Sequence, residues 1–218
     1  MRQSDPQSHL RFPLTRLLGS GGNVRVLRTL AAYGSPLSAP QLARETGLTP
    51  QGVRLVLDGL QAQRVLHVLG SARSQLFALN DDHPFTAPLR GLFGSEQERW
   101  ERLLQALRDA LKAERGVRSA WLYGSVARGE DAPQSDIDVA LVMAHPRPEV
   151  AERVRAALLP LEENQQVSFS VAAVSEDELA KLRPGDRWWS ELARDAKPLK
   201  GSTPQQEMAR ARRAALAK

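Results

Sequence analysis

The chain has 218 residues, 42% of them apolar and 25% charged, with 30 Lys and Arg against 25 Asp and Glu. That is enough for one large domain or two small ones with ordinary cores. There is no cysteine, which excludes disulfides and thiolate metal sites and makes a cytosolic address the default. No window reaches the roughly 18 apolar residues a membrane span needs, so no membrane partner is expected.

The charge is uneven. Residues 1–80 carry 9 basic and 3 acidic side chains, a net of +6, while residues 81–218 carry 21 and 22, a net of −1. A polyanion partner is therefore expected for the first part alone, against the plainer alternative of a solvated basic face.

Residues 1–22 are polar and Pro/Gly-marked, with no apolar segment of a signal peptide, and read as a flexible arm. From Asn23 the apolar period turns helical through Val24, Val26, Leu27 and Leu30, until "YGSP" breaks it. A second helix fits Ala39 to Thr46, with Ser38 as N-cap, and Gly47 ends it. Thr49-Pro50 opens a third, with Val53, Leu57 and Leu60 on one face. Two strand-like runs, Val65–Leu69 and Gln75–Leu79, then flank "GSARS" as a hairpin.

Helix, short helix, Gly turn, helix, hairpin is the order of a winged helix-turn-helix. The stretch "APQLARETGLTPQGVRLVLDGLQAQRVL" closely resembles that module in bacterial regulators. The resemblance implies that residues 23–80 bind double-stranded DNA, with Thr49, Gln51 and Arg54 facing the major groove and Arg73 reaching out from the hairpin tip. The alternative is a winged helix used only for protein contact.

Residues 81–95 read as a linker with one helical turn at Leu89–Phe93. Ser95 is then expected to cap a helix to about Glu114, striped by Trp100, Leu103, Leu104, Leu107 and Leu111. Strands are expected at Val117–Tyr123, Ile137–Met143 and Gln166–Val174, and helices at Pro148–Glu162 and Glu176–Leu182. The fold class is α+β: the N-terminal module plus a domain at 96–203 with a small mixed sheet flanked by helices. Residues 204–218 read as a charged, frayed helical tail.

"LYGSVARGEDAPQSDIDVALV", Leu122 to Val142, carries the chemistry. In a strand, i and i+2 share a face, so Asp136 and Asp138 project together with Ile137 turned to the core. Two adjacent carboxylates repel, and a divalent cation between them relieves it. Oxygen ligands alone suit Mg²⁺ or Mn²⁺, which pairs readily with substrate phosphates. Gly124 permits close backbone approach, and the amides and hydroxyl at Ser125 can hold a phosphate.

Gly124-Ser125, ten residues, then Asp136-x-Asp138 resembles the signature of the DNA polymerase beta-type nucleotidyltransferase superfamily. "GSVARGEDAPQSDIDVALV" looks like its small bacterial branch, the minimal and kanamycin-type nucleotidyltransferases. The resemblance implies Asp136 and Asp138 as catalytic metal ligands. It implies Gly124, Ser125, Arg128 and Ser135 as the nucleotide-binding set, Mg²⁺ or Mn²⁺ as cofactor, and an NTP, ATP by preference, as donor to an acceptor hydroxyl. Members usually carry a third carboxylate on a later strand. Here that position falls on Ser170, or on Ser168, and no Asp or Glu lies between Glu163 and Glu176. Two readings stay open: an enzyme transferring NMP from NTP, or a DNA-binding regulator whose degenerate domain binds nucleotide or mediates dimerisation. A second copy of the chain is a candidate partner, and a cytoplasmic, nucleoid-associated location is expected.

Overall fold

The computed structural model describes residue 8 and residues 10–71, 74–145, 147–183 and 185–217. The chain divides into two compact units, Met1–Arg99 and Trp100–Lys218.

The first unit holds α1 (Leu14–Leu17), α2 (Gly21–Tyr33), β1 (Leu37–Ser38), α3 (Ala39–Thr46), α4 (Pro50–Ala62), β2 (Leu66–Leu69), β3 (Leu76–Leu79) and the start of α5 (Thr86–Ala113). Polar side chains set the helix starts. Ser20 accepts from the Asn23 amide, Ser38 and Gln41 form a reciprocal capping box, and the Thr49 hydroxyl accepts from Gly52. Gly47, at φ +65°, supplies the left-handed residue that separates α3 from α4. The three strands pair antiparallel in the order β1-β3-β2. One core fills the unit, with Leu27, Leu42, Val53, Leu60 and Phe77 among its buried members.

The second unit adds β4 (Val117–Tyr123), α6 (Gly124–Arg128), β5 (Ile137–Met143), α7 (Pro148–Gln165) and β6 (Phe169–Ser175). It ends with α8 (Glu176–Lys181), α9 (Arg187–Asp195), β7 (Lys197–Lys200) and α10 (Pro204–Leu216). Its sheet runs β6-β5-β4-β7, with β5 and β6 parallel and the other pairs antiparallel. The small mixed sheet flanked by helices is the expected α+β architecture.

Each sheet face carries its own core. On one, Leu103, Leu107 and Leu111 of α5 and Val150, Val154 and Leu158 of α7 pack on Leu122, Ile137, Val139 and Leu141. On the other, Leu179 of α8, Leu192 of α9, and Met208 and Ala211 of α10 pack on Trp121, Tyr123, Ala140 and Val142. Strand alternation sorts β5 between them: Ile137, Val139 and Leu141 go one way, Ala140 and Val142 the other.

The structure corrects three sequence expectations. The arm at 1–22 is helical at Leu14–Leu17, with Leu17 buried in the core, and α2 starts at Gly21. The linker at 81–95 is helical from Thr86, and Ser95 caps nothing: its hydroxyl lies inside α5 and donates to the Gly91 carbonyl at 2.9 Å. Leu89 and Phe93 are buried in the first core, so the apolar stripe outweighs the Gly94-Ser95 stop signal. The tail at 204–218 is not frayed over Pro204–Leu216. Thr203 and Gln206 form a capping box, and Glu207, Met208 and Ala211 are buried. A short strand, β7, was not anticipated. Pro198 within it sits where an edge strand tolerates a missing donor.

Candidate active site

The stretch from Tyr123 to Asp138 folds back on itself across β4 and β5. Tyr123 pairs with Asp138 in the antiparallel register. Between them the chain turns at Gly124, runs one helical turn and stops at Gly129. Gly124 is required twice over. Its φ is +76°, and a Cβ there would fall on the Asp138 carboxylate and stand 3.1 Å from its Cγ. The backbone at residue 124 is thus pressed against the carboxylate with no room for a side chain.

Ile137 is buried on the α5/α7 face, and Asp138 takes the opposite one, as alternation requires. Across the parallel pair Asp138 is in register with Ser170, while Phe169 and Val171 pack against the α5/α7 core. The expected strand alignment holds: Ser170 stands beside Asp138. Burial raises the Asp138 pKa, helped by the charges of Asp136 and Glu191; a hydrogen bond from Ser170 and the charge of Arg128 pull the other way. Burial, with the nearby Asp138 and Glu191 charges, likewise raises the Tyr123 phenol.

Other residues singled out in the sequence have local duties. Ser135 closes the turn before β5: its hydroxyl accepts from the Ala132 amide at 2.9 Å. Arg128 donates to Glu130 at 2.7 Å and to Asp195 of α9 at 3.1 Å. Ser125 is half-buried, and its carbonyl accepts from the Glu130 amide. In the first unit Gln51 and Arg54 are exposed on α4, and Thr49 is exposed beside them as its cap. Arg73 lies outside the described residues.

Sequence reasoning missed α9. Trp188, Glu191 and Asp195 recur at three and four residues on it. The Trp188 indole donates to the Tyr123 hydroxyl at 3.3 Å, with the rings edge to face, and Asp195 receives Arg128. That i, i+3, i+7 pattern in "RWWSELARD" was the available signal.

The donor set suits a divalent cation. The Asp138 carboxylate is held against the backbone at Gly124, and the Asp136 charge adds to the rise in its pKa. Among the described residues, no three His, Asp or Glu side chains converge closely enough to hold a metal by themselves.

Residues 104–192 match the family model described as nucleotidyltransferase domain. The matched segment contains Gly124, Asp136, Asp138, Ser170 and Glu191. A comparison with curated proteins gives no match. Among solved structures the chain is similar to a toxin–antitoxin with AMP-PNP (14% identity, 52% of this chain and 87% of that one, TM-score 0.38). It is also similar to the AntR antimony-specific transcriptional repressor (22% identity, 47% of this chain and 93% of that one, TM-score 0.36). A third is a tri-AMPylated Shewanella oneidensis HEPN toxin in complex with MNT antitoxin (15% identity, 56% of this chain and 87% of that one, TM-score 0.31). No helix among the described residues is long and apolar enough to cross a membrane.

Proposed function

We propose that the nucleotidyltransferase segment transfers NMP from an NTP, ATP by preference, to an acceptor hydroxyl, and that residues 23–80 form a winged helix-turn-helix that binds duplex DNA. The observation that carries the first part is the packing of Gly124 against Asp138. It presses a side-chain-free backbone turn against one of the two carboxylates, which puts a phosphate-binding turn next to a metal-binding oxygen. Asp136 and Asp138 hold Mg²⁺ or Mn²⁺, and the Ser125 hydroxyl with the Gly124 turn holds phosphate oxygens. The bound cation neutralises charge on the triphosphate. Arg128 keeps α6 and α9 together through Asp195 and adds positive charge near Asp138.

A regulator that binds nucleotide without transferring it is the second reading. Ser170 favours it, since a hydroxyl bonded to Asp138 stands where a third carboxylate would serve the reaction.

Titration with ATP separates these readings from a domain with no nucleotide role. Affinity should rise on adding Mg²⁺ in the wild type and not in Asp138→Asn; an equal metal response in both sinks the site. For the first unit, Arg54→Ala should weaken duplex binding and lower the slope of log affinity against log salt by about 1. An unchanged slope would remove Arg54 from the interface.

A further inference from the structure

We propose that Glu191 of α9 is the proton acceptor for the attacking hydroxyl, the carboxylate that the strand bearing Ser170 does not provide. This rests on the nucleotidyl-transfer reading above.

The placement follows from how α9 is fastened. One anchor is Trp188, bonded to the hydroxyl of Tyr123, the cross-strand partner of Asp138. The other is Asp195, bonded to Arg128 at the end of α6, the helix that opens with Gly124 against Asp138. Glu191 lies three residues after the first anchor and four before the second, so it shares their helix face. Leu192 beside it is fully buried and fixes the rotation of α9. The first anchor ends on the residue paired with Asp138, the second on the helix whose opening Gly124 lies against Asp138, and Glu191 sits between them on α9. Its charge is felt at Asp138 and at Tyr123 alike.

Glu191, Asp136 and Asp138 do not converge closely enough to hold a metal ion as a group of three. Its ion pair is with Arg187 at 3.3 Å, a residue 94% exposed at its side chain. Such a surface pair yields readily to an incoming hydroxyl. In the step, the acceptor oxygen bonds to the α-phosphorus and its proton passes to the Glu191 carboxylate. The bond from the α-phosphorus to the bridging oxygen breaks, and pyrophosphate leaves with the electron pair. Glu191 then returns the proton to water.

The test measures pyrophosphate release from ATP with Mg²⁺, using water, glycerol and an oligoribonucleotide end as acceptors. Glu191→Gln should lower kcat about 100-fold or more with Mg²⁺-dependent ATP affinity and melting temperature unchanged, and Glu191→Asp should recover part of the rate. Wild-type kcat in Glu191→Gln overturns the assignment. So does loss of metal-dependent ATP affinity, which would make Glu191 a ligand. If the wild type binds ATP with Mg²⁺ but uses none of these acceptors, backbone cleavage directed by Fe²⁺ at the site decides. Cuts within 187–195 as well as 136–138 support Glu191, and cuts at 136–138 alone remove it. Failure of the underlying reading looks different: the wild type then shows no metal-dependent ATP affinity, and the proton acceptor falls with it.

Discussion

The two faces of the four-stranded sheet are filled in different ways. Against α5 and α7 the contact is hydrocarbon, from Leu107, Leu111, Val139, Leu141 and Leu158. Against α8, α9 and α10 the hydrocarbon is thinner and polar anchors do much of the fastening. Trp188 bonds Tyr123, Arg128 bonds Asp195, and the Trp121 indole donates to the Ser202 carbonyl at 2.7 Å. Glu207, 1% exposed, accepts from Ser119 at 2.8 Å and pairs with Arg118 at 2.9 Å. Apolar burial is non-directional and tolerates small shifts, whereas hydrogen bonds fix distance and angle. The first face therefore holds the fold, and the second sets the position of α9 against Asp138.

The sharpest way to break this contrast is Leu107→Ala, which empties a fully buried position on the hydrocarbon face. A loss of about 2–5 kcal/mol is expected, at roughly 2–4 °C of melting temperature per kcal/mol. All four tryptophans, at 100, 121, 188 and 189, lie in the second unit, so tryptophan fluorescence follows its unfolding alone. A shift under a degree would refute the division of labour.

Gly124→Ala should cost less, about 1–2 kcal/mol for the left-handed backbone, because Asp138 can move aside. Its effect on the site should be larger than its effect on the fold: Mg²⁺-dependent ATP affinity should vanish while the fluorescence midpoint falls less than in Leu107→Ala.

The smallest effect tests one polar anchor. The Arg194 hydrogen bond, then that of Arg128, holds the Asp195 carboxyl down at about 2. Its folded pKa lies below the unfolded one, so its stabilisation is complete above the ordinary carboxylate range and is lost as the pH falls toward 2. Asp195→Asn should be slightly less stable than wild type at neutral pH, with the difference shrinking through that acid window. Glu114, also held at about 2, by Arg153 first, remains in both proteins and cancels. A difference that stayed constant from neutral pH to pH 2 would mean that the Asp195 charge does not stabilise the folded chain.

What the sequence disclosed follows the same line. β4 and β5 were legible to the residue because apolar runs bounded by Gly124 and by Asp136 carry their own ends. The family resemblance put Ser170, or Ser168, at the position of the third carboxylate, and the parallel register sets Ser170 against Asp138. The hydrocarbon face was readable from the stripe on α5. The polar face was not. Glu207 looks like a solvated tail residue until Ser119, 88 residues earlier in the chain, is brought to it. β7 is four residues with a proline, too short to signal a strand before β4 offers it an edge. Asp195 is not legible as an anchor because its partner Arg128 lies 67 residues earlier in the chain. Local patterns write the hydrocarbon layer; tertiary pairing writes the polar one.

The bond from Trp121 to Ser202 spans 81 residues. During synthesis the ribosome delivers Trp121 long before it delivers β7 and α10, and N-terminal portions fold first. Until those later segments emerge, the site-bearing face of β4 stays bare, and its tryptophan has neither its cover of Met208 and Ala211 nor its carbonyl partner. The first unit and the hydrocarbon face can form on the nascent chain before the segments that cover the site-bearing face have emerged.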